Sequence, residues 1–177
     1  MRKKNEEFAN KQELTDFEKY EDFNKYLKLV ELGKCPKGFY VDASGYTRDG
    51  RYINAELKDR NQVLMPDLLT ISGVTKDGKT YTANTVYSEQ HKIGDMLLDW
   101  VCLGREPLYV NFLNDDVIVL FNICKLKIRP NIVKKRIWSE LYQGFEIAER
   151  EELDTRDAWI YKKINGNWKM IRKPDGE

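Results

Sequence analysis

A chain of 177 residues, 41% hydrophobic and 33% charged, has the length and composition of one ordinary globular domain. Its longest apolar run, Val117 to Phe121, is far too short for a bilayer-spanning helix, and Met1-Arg2-Lys3-Lys4 leads into Asn5-Glu6-Glu7 rather than the apolar segment of a secretion signal. The net charge of +1 supplies no global polycation. A single histidine, His91, excludes His-rich metal sites, and three cysteines (Cys35, Cys102, Cys124) at no metal spacing read as reduced thiols of a cytoplasmic protein.

The first element after a polar start is a helix expected from about Thr15 to Leu32. Thr15-Asp16-Phe17-Glu18 has capping-box form, Phe17, Tyr20, Phe23, Tyr26, Leu27 and Val30 keep helical spacing, and Gly33 closes it. Hairpins follow. The stretches around Arg48-Asp49-Gly50 and Lys76-Asp77-Gly78 put glycine third in a three-residue loop, where a left-handed conformation is wanted, and a third pair of strands flanks Asn114-Asp115-Asp116. Between the second and third pairs, Ile93, Met96, Leu97, Trp100 and Val101 mark one face of a helix with Ser88 as N-cap and Gly104 as its stop. A mixed basic region and a final hairpin across Asn165-Gly166 end the chain. The fold expected is one α/β domain over residues 1–177, with a core of about 15–123 and a C-terminal β-rich elaboration of about 124–177.

The charges are unevenly spread. Lys125 to Arg136 and Tyr161 to Lys173 are basic and aromatic, whereas Glu146 to Asp154 is acidic. Lys134, Lys135 and Arg136 are the candidate contacts to a phosphate backbone, although such runs are more often solvated faces. Trp138, Tyr142, Trp159, Tyr161 and Trp168 can stack on bases, but aromatics at strand spacing more often build core.

The chemistry concentrates in the first hairpin. In Tyr52 to Asn61, Ile53, Ala55 and Leu57 alternate with Asn54, Glu56 and Lys58. A three-residue loop pairs Thr47 with Arg51 and brings Asp42 directly opposite Glu56, on the face that also carries Lys58; a two-residue turn would pair Asp42 with Leu57 instead. Two opposed carboxylates repel unless a cation lies between them, and Mg²⁺ favours one or two carboxylates completed by waters and phosphate oxygens. Taken alone, Glu56-Leu57-Lys58 is an ordinary surface ion pair. Arg60 extends the same face and can meet a phosphate or simply lie exposed at the strand end.

Asp42 and Glu56-Leu57-Lys58, fourteen residues on and set between helical and strand segments, resemble the PD-(D/E)XK nuclease superfamily, with Val41 where its name-giving motif has proline. That resemblance covers residues 15–123 and is close in layout to Holliday-junction resolvases and small phage or bacterial nucleases. It implies a restriction-endonuclease-like mixed β-sheet core flanked by helices in α-β-β-β-α-β order. It also implies that Asp42, Glu56 and the Leu57 carbonyl ligate Mg²⁺ (or Mn²⁺) and that Lys58 serves the nucleophilic water. Gln90 and Lys92, at the start of the later helix, are further catalytic candidates; Glu18, Glu21, Glu89 and His91 are weaker ones. The function expected is metal-dependent hydrolysis of phosphodiesters in DNA, with nucleic acid as partner and a homodimer as the assembly. The alternative is a catalytically inactive nuclease-like module that binds nucleic acid or protein.

Overall fold

The computed structural model describes residues 22, 29–34, 41–47, 49–75, 77–139 and 143–177. Among them are thirteen strands and one α-helix. The chain runs β1 (Leu29–Lys34), β2 (Ala43–Thr47), β3 (Tyr52–Asp59), β4 (Gln62–Leu64), β5 (Ile71–Val74), β6 (Thr80–Ala83) and β7 (Thr85–Glu89). Helix α1 (Gln90–Leu103) follows, then β8 (Glu106–Leu113), β9 (Val117–Asn122), β10 (Asn131–Ser139), β11 (Gly144–Asp154), β12 (Trp159–Ile164) and β13 (Asn167–Arg172). A seven-stranded sheet has the order β1-β2-β3-β8-β9-β12-β13, and two three-stranded sheets have the orders β10-β11-β7 and β4-β5-β6.

This corrects the expected fold class. The molecule is mostly β, with a single helix among the described residues, so an α/β restriction-endonuclease-like sheet flanked by helices is not what the chain builds. Two causes are local. Leu29–Lys34, expected to end a helix, instead pairs with β2 along the outer edge of the first hairpin; Thr15 to Lys28 lies outside the described residues apart from Asp22. The region of charged residues after Lys125 forms the long β10–β11 hairpin, in which Lys134 lies opposite Glu149 while most other pairs set a charged residue against an uncharged one, as Ile137 against Glu146. Backbone pairing with β11, which β7 flanks on its other edge, holds as strand a polar sequence whose hydrophobic pattern does not announce one.

The hairpin loops follow the sequence. Thr47 N–H donates to the Arg51 carbonyl around Gly50, at φ 81°, and Thr75 N–H to the Lys79 carbonyl around Gly78, also at 81°. Leu113 pairs with Val117 and Ile164 with Asn167, with Asp115, Asp116, Asn165 and Gly166 all at positive φ.

Strand β3 is central, antiparallel to β2 and parallel to β8. Parallel strands need a crossover, and here it contains β4 to β7 and α1. Ile53, Ala55 and Leu57 join Leu108, Val110, Phe112, Leu120 and Tyr161 on one face of the sheet. The other face buries Tyr109, Val119, Phe121 and Ile160 with Val86, Leu153 and Ile93 of α1. Helix α1 buries fewer side chains than its spacing predicts: Ile93 and Met96 are inside, but Val101 is 79% and Trp100 40% exposed. Its N-cap is Glu89, without a side-chain capping bond, one residue later than the expected Ser88; Gly104 closes it at φ 67° as expected.

Candidate active site

The β2–β3 ladder has the register that the three-residue loop implies. Ala43 pairs with Ala55 and Ser44 with Asn54, and Asp42 N–H donates to the Ala55 carbonyl at 3.0 Å. Asp42 itself lies in a bend just before β2. Its Oδ2 turns toward the edge of β3 and accepts the Leu57 N–H at 2.8 Å, one step beyond the last paired residues. Since N–H and C=O of one strand residue point to the same side, the Leu57 carbonyl projects along the edge that Asp42 caps.

Glu56, on the opposite face of β3 from Leu57, is fully buried beneath α1. Its Oε1 accepts from Lys58 Nζ at 2.7 Å and also from Lys92 Nζ, which reaches down from the first turn of α1. Its Oε2 is buried and finds no hydrogen-bond partner among the described residues. Burial pushes the Glu56 carboxyl above its ordinary value, and the nearby Asp42 charge pushes the same way against the pull of Lys58 and Lys92. Burial would lower the Lys58 ammonium, but the attraction of Glu56, with Glu89 and Asp42 adding to it, leaves it raised and hence charged.

Helix α1 is tied to β3 at two heights. Lys92 meets Glu56, and seven residues on Asp99 accepts from Asn54 Nδ2 at 3.0 Å while Arg105 Nη1 reaches it at 3.1 Å. The helix therefore runs antiparallel to β3, with Lys92 and Asp99, two turns apart on one helical face, reaching Glu56 and Asn54 of the strand. That seven-residue spacing between a lysine and an aspartate is the signal from which the second anchor could have been read.

Arg60, expected either at a phosphate or exposed at the strand end, instead uses its guanidinium within the protein. Nε donates to Asn111 Oδ1 at 2.7 Å, and Nη2 to the Tyr87 carbonyl at 2.6 Å and the Tyr109 hydroxyl at 2.9 Å. It braces the end of β3 against β8 and β7, the strand that leads into α1 and so positions Lys92. Gln90 lines a separate cleft with Glu89, His91, Glu146 and Arg150, and His91 is exposed, 3.7 Å from Glu89. On β10, Lys135 lies over the Tyr87 ring and Arg136 over the Phe145 ring, each at 4.3 Å. Lys134 stands opposite Glu149 in the ladder, whereas Lys135 and Arg136 stand opposite Ala148 and Ile147.

Trp159 and Trp168 pack on the first core cluster, which contains Tyr161; the side chains of Trp138 and Tyr142 lie outside the described set, as do Glu18 and Glu21. The structure thus gathers Asp42, Glu56, Leu57, Lys58 and Lys92, and leaves Gln90, Arg60 and Lys134 to Arg136 elsewhere.

No cluster of three or more His, Cys, Asp or Glu is arranged to hold a metal among the described residues. The set on offer is two carboxylates and the Leu57 carbonyl, which suits Mg²⁺ because that ion keeps several waters. The unpartnered Glu56 Oε2 is the observation that fits a cation, since an unpaired buried carboxylate oxygen is costly. Compared with family models, with curated proteins and with solved structures, the chain finds no match.

Proposed function

We propose that this protein is a Mg²⁺-dependent hydrolase of phosphodiesters in DNA, with an active site of the PD-(D/E)XK kind. The observation that carries the reading is the buried Glu56, whose one oxygen takes two ammonium groups while the other has no partner among the described residues. Asp42, Glu56 and the Leu57 carbonyl would hold the ion, which would polarise the phosphodiester and lower the pKa of a bound water. Lys58 Nζ stands beside this site, 2.7 Å from Glu56 Oε1. It orients the water by donating from Nζ and stabilises the negative charge that develops on phosphate. Asp42 has two tasks, since its Oδ2 also fixes the Leu57 N–H and with it the edge on which the Leu57 carbonyl lies.

The alternative, a non-catalytic module that binds nucleic acid or protein, is favoured by one feature: Lys58 and Lys92 supply two donors to Glu56 Oε1 without any metal.

Cleavage of linear, branched and single-stranded DNA and RNA with Mg²⁺ or Mn²⁺ decides between them. Glu56→Ala and Lys58→Ala are expected to lower the cleavage rate by at least about 10²-fold while DNA affinity measured with EDTA changes little. Asp42→Asn keeps an acceptor for the Leu57 N–H but removes the charge, and is expected to lose cleavage while keeping the wild-type melting temperature. Wild-type protein that cleaves none of these substrates overturns the hydrolase reading in favour of the binding module.

A further inference from the structure

We infer that Lys92 is a built-in counter-ion that neutralises Glu56 through Oε1 in the metal-free protein and is released when a divalent cation binds the same carboxylate. The inference rests on the reading of Asp42 and Glu56 as a cation site, and concerns how that site is kept before the ion arrives.

The geometry distinguishes the two lysines that share Glu56 Oε1. Lys58 belongs to the same strand as Glu56, two residues on, so β3 itself holds it on the Glu56 face. Its charge is further favoured by Glu89 and Asp42. Lys92 comes from another element. It sits in the first turn of α1, the positive end of the helix, where the acidic residue at hand is the N-cap Glu89 and none lies within the turn itself. A cation there is disfavoured by the helix dipole, and the described structure offers its ammonium the buried Glu56 carboxylate in return.

A fully buried carboxylate without enough positive charge would cost several kcal/mol, so the metal-free fold needs such a partner. Asp42, Glu56 and Glu89 against Lys58 and Lys92 leave the neighbourhood at −1. A divalent ion would reverse that sign and repel the nearest mobile cation. The Lys92 side chain is 23% exposed on a four-carbon stem, which gives it a way out to solvent. The outgoing ammonium then lies beside the metal site, free to meet an anionic phosphate.

Mn²⁺ binding, followed by electron paramagnetic resonance on wild-type protein, Lys92→Met and Lys92→Gln, tests the inference without any measurement of cleavage. Removing the competing cation is expected to tighten Mn²⁺ binding by at least about tenfold. In the wild type, lysine acylation read by mass spectrometry is expected to modify Lys92 several-fold faster when Mg²⁺ is added, with Lys58 unchanged; this readout holds even if both variants fail to fold. Wild-type binding of Mn²⁺ with no gain in the variants, or Lys92 acylation that Mg²⁺ leaves unchanged or slows, overturns the counter-ion role and leaves the metal site standing. Absence of Mn²⁺ binding by wild type and variants alike overturns the cation site itself, and the counter-ion role with it.

Discussion

At the scale of single residues, carboxylates in this protein are used in two opposite ways. Glu56 is buried against its preference and held by lysines, whereas Asp67 sits exposed in the loop between β4 and β5 and organises the backbone around it. Asp67 Oδ1 accepts from the Leu69 N–H at 2.9 Å and the Thr70 N–H at 2.8 Å, and Oδ2 accepts from the Thr70 hydroxyl at 2.6 Å. The Thr70 hydroxyl bond, aided by the two N–H groups, holds the Asp67 carboxyl below its ordinary value. A depressed folded-state pKa means that the unfolded chain binds the proton more readily. The stabilisation is therefore present above the ordinary carboxylate value of about 4 and fades as pH falls through the folded value. Urea unfolding of wild type and Asp67→Ala is expected to show a stability gap that is constant between about pH 6 and 8 and narrows below about pH 4. A gap that widens on acidification would contradict the assignment.

Individual elements show where local signals were enough. The three-residue loops with Gly50 and Gly78 were legible because a glycine at the left-handed position has a steric reason to be there. Helix α1 was legible from its spacing, although Leu98, Val101 and Leu103 remain exposed. The β5–β6 pair adds a contact that periodicity does not reveal. Gly73 lies directly across from Tyr81, and a Cβ on Gly73 would come within 2.7 Å of the Tyr81 hydroxyl and 2.8 Å of its ring. That hydroxyl accepts a 2.6 Å hydrogen bond from Gln62 Nε2, so the ring is fixed over the glycine. Gly73→Ala is expected to cost about 1–3 kcal/mol in denaturant unfolding, and the loss should be less than additive with Tyr81→Leu, which removes the obstructing ring. Additive losses would show that the ring is not the cause.

Over the whole molecule, the C-terminal third is structural rather than appended. Strand β12 pairs with β9 in the central sheet, and β11 pairs with β7, the strand that leads into α1. Thr155 Oγ1 donates to the Leu69 carbonyl at 2.6 Å, and Asp157 Oδ2 accepts from the Lys127 and Ile128 N–H groups, which ties distant segments together. Removing residues 124–177 would strip Leu153, Ala158 and Ile160 from the second core cluster and expose the edge of β9. The fragment 1–123 is therefore expected to lack cooperative thermal unfolding and to aggregate, as an uncovered apolar strand edge does. A folded, soluble fragment would instead mark the tail as an independent addition.

The sequence by itself determined the local turns, helix α1 and the register of the first hairpin, because each depends on residues close in the chain. From that register the proximity of Asp42 to Glu56 and of Lys58 to both could be read. Only the tertiary structure decided the rest. Whether Leu29–Lys34 is helix or strand depends on the edge that β2 offers, and that Lys134 stands opposite Glu149 depends on β11. Arg60 became a brace because Asn111, Tyr87 and Tyr109 converge on it from two other strands. Glu56 became a buried carboxylate shared by two lysines because α1 crosses β3 and brings Lys92 down onto it. Burial and ion pairing are properties of what the fold places around a side chain, and no spacing along the chain records them.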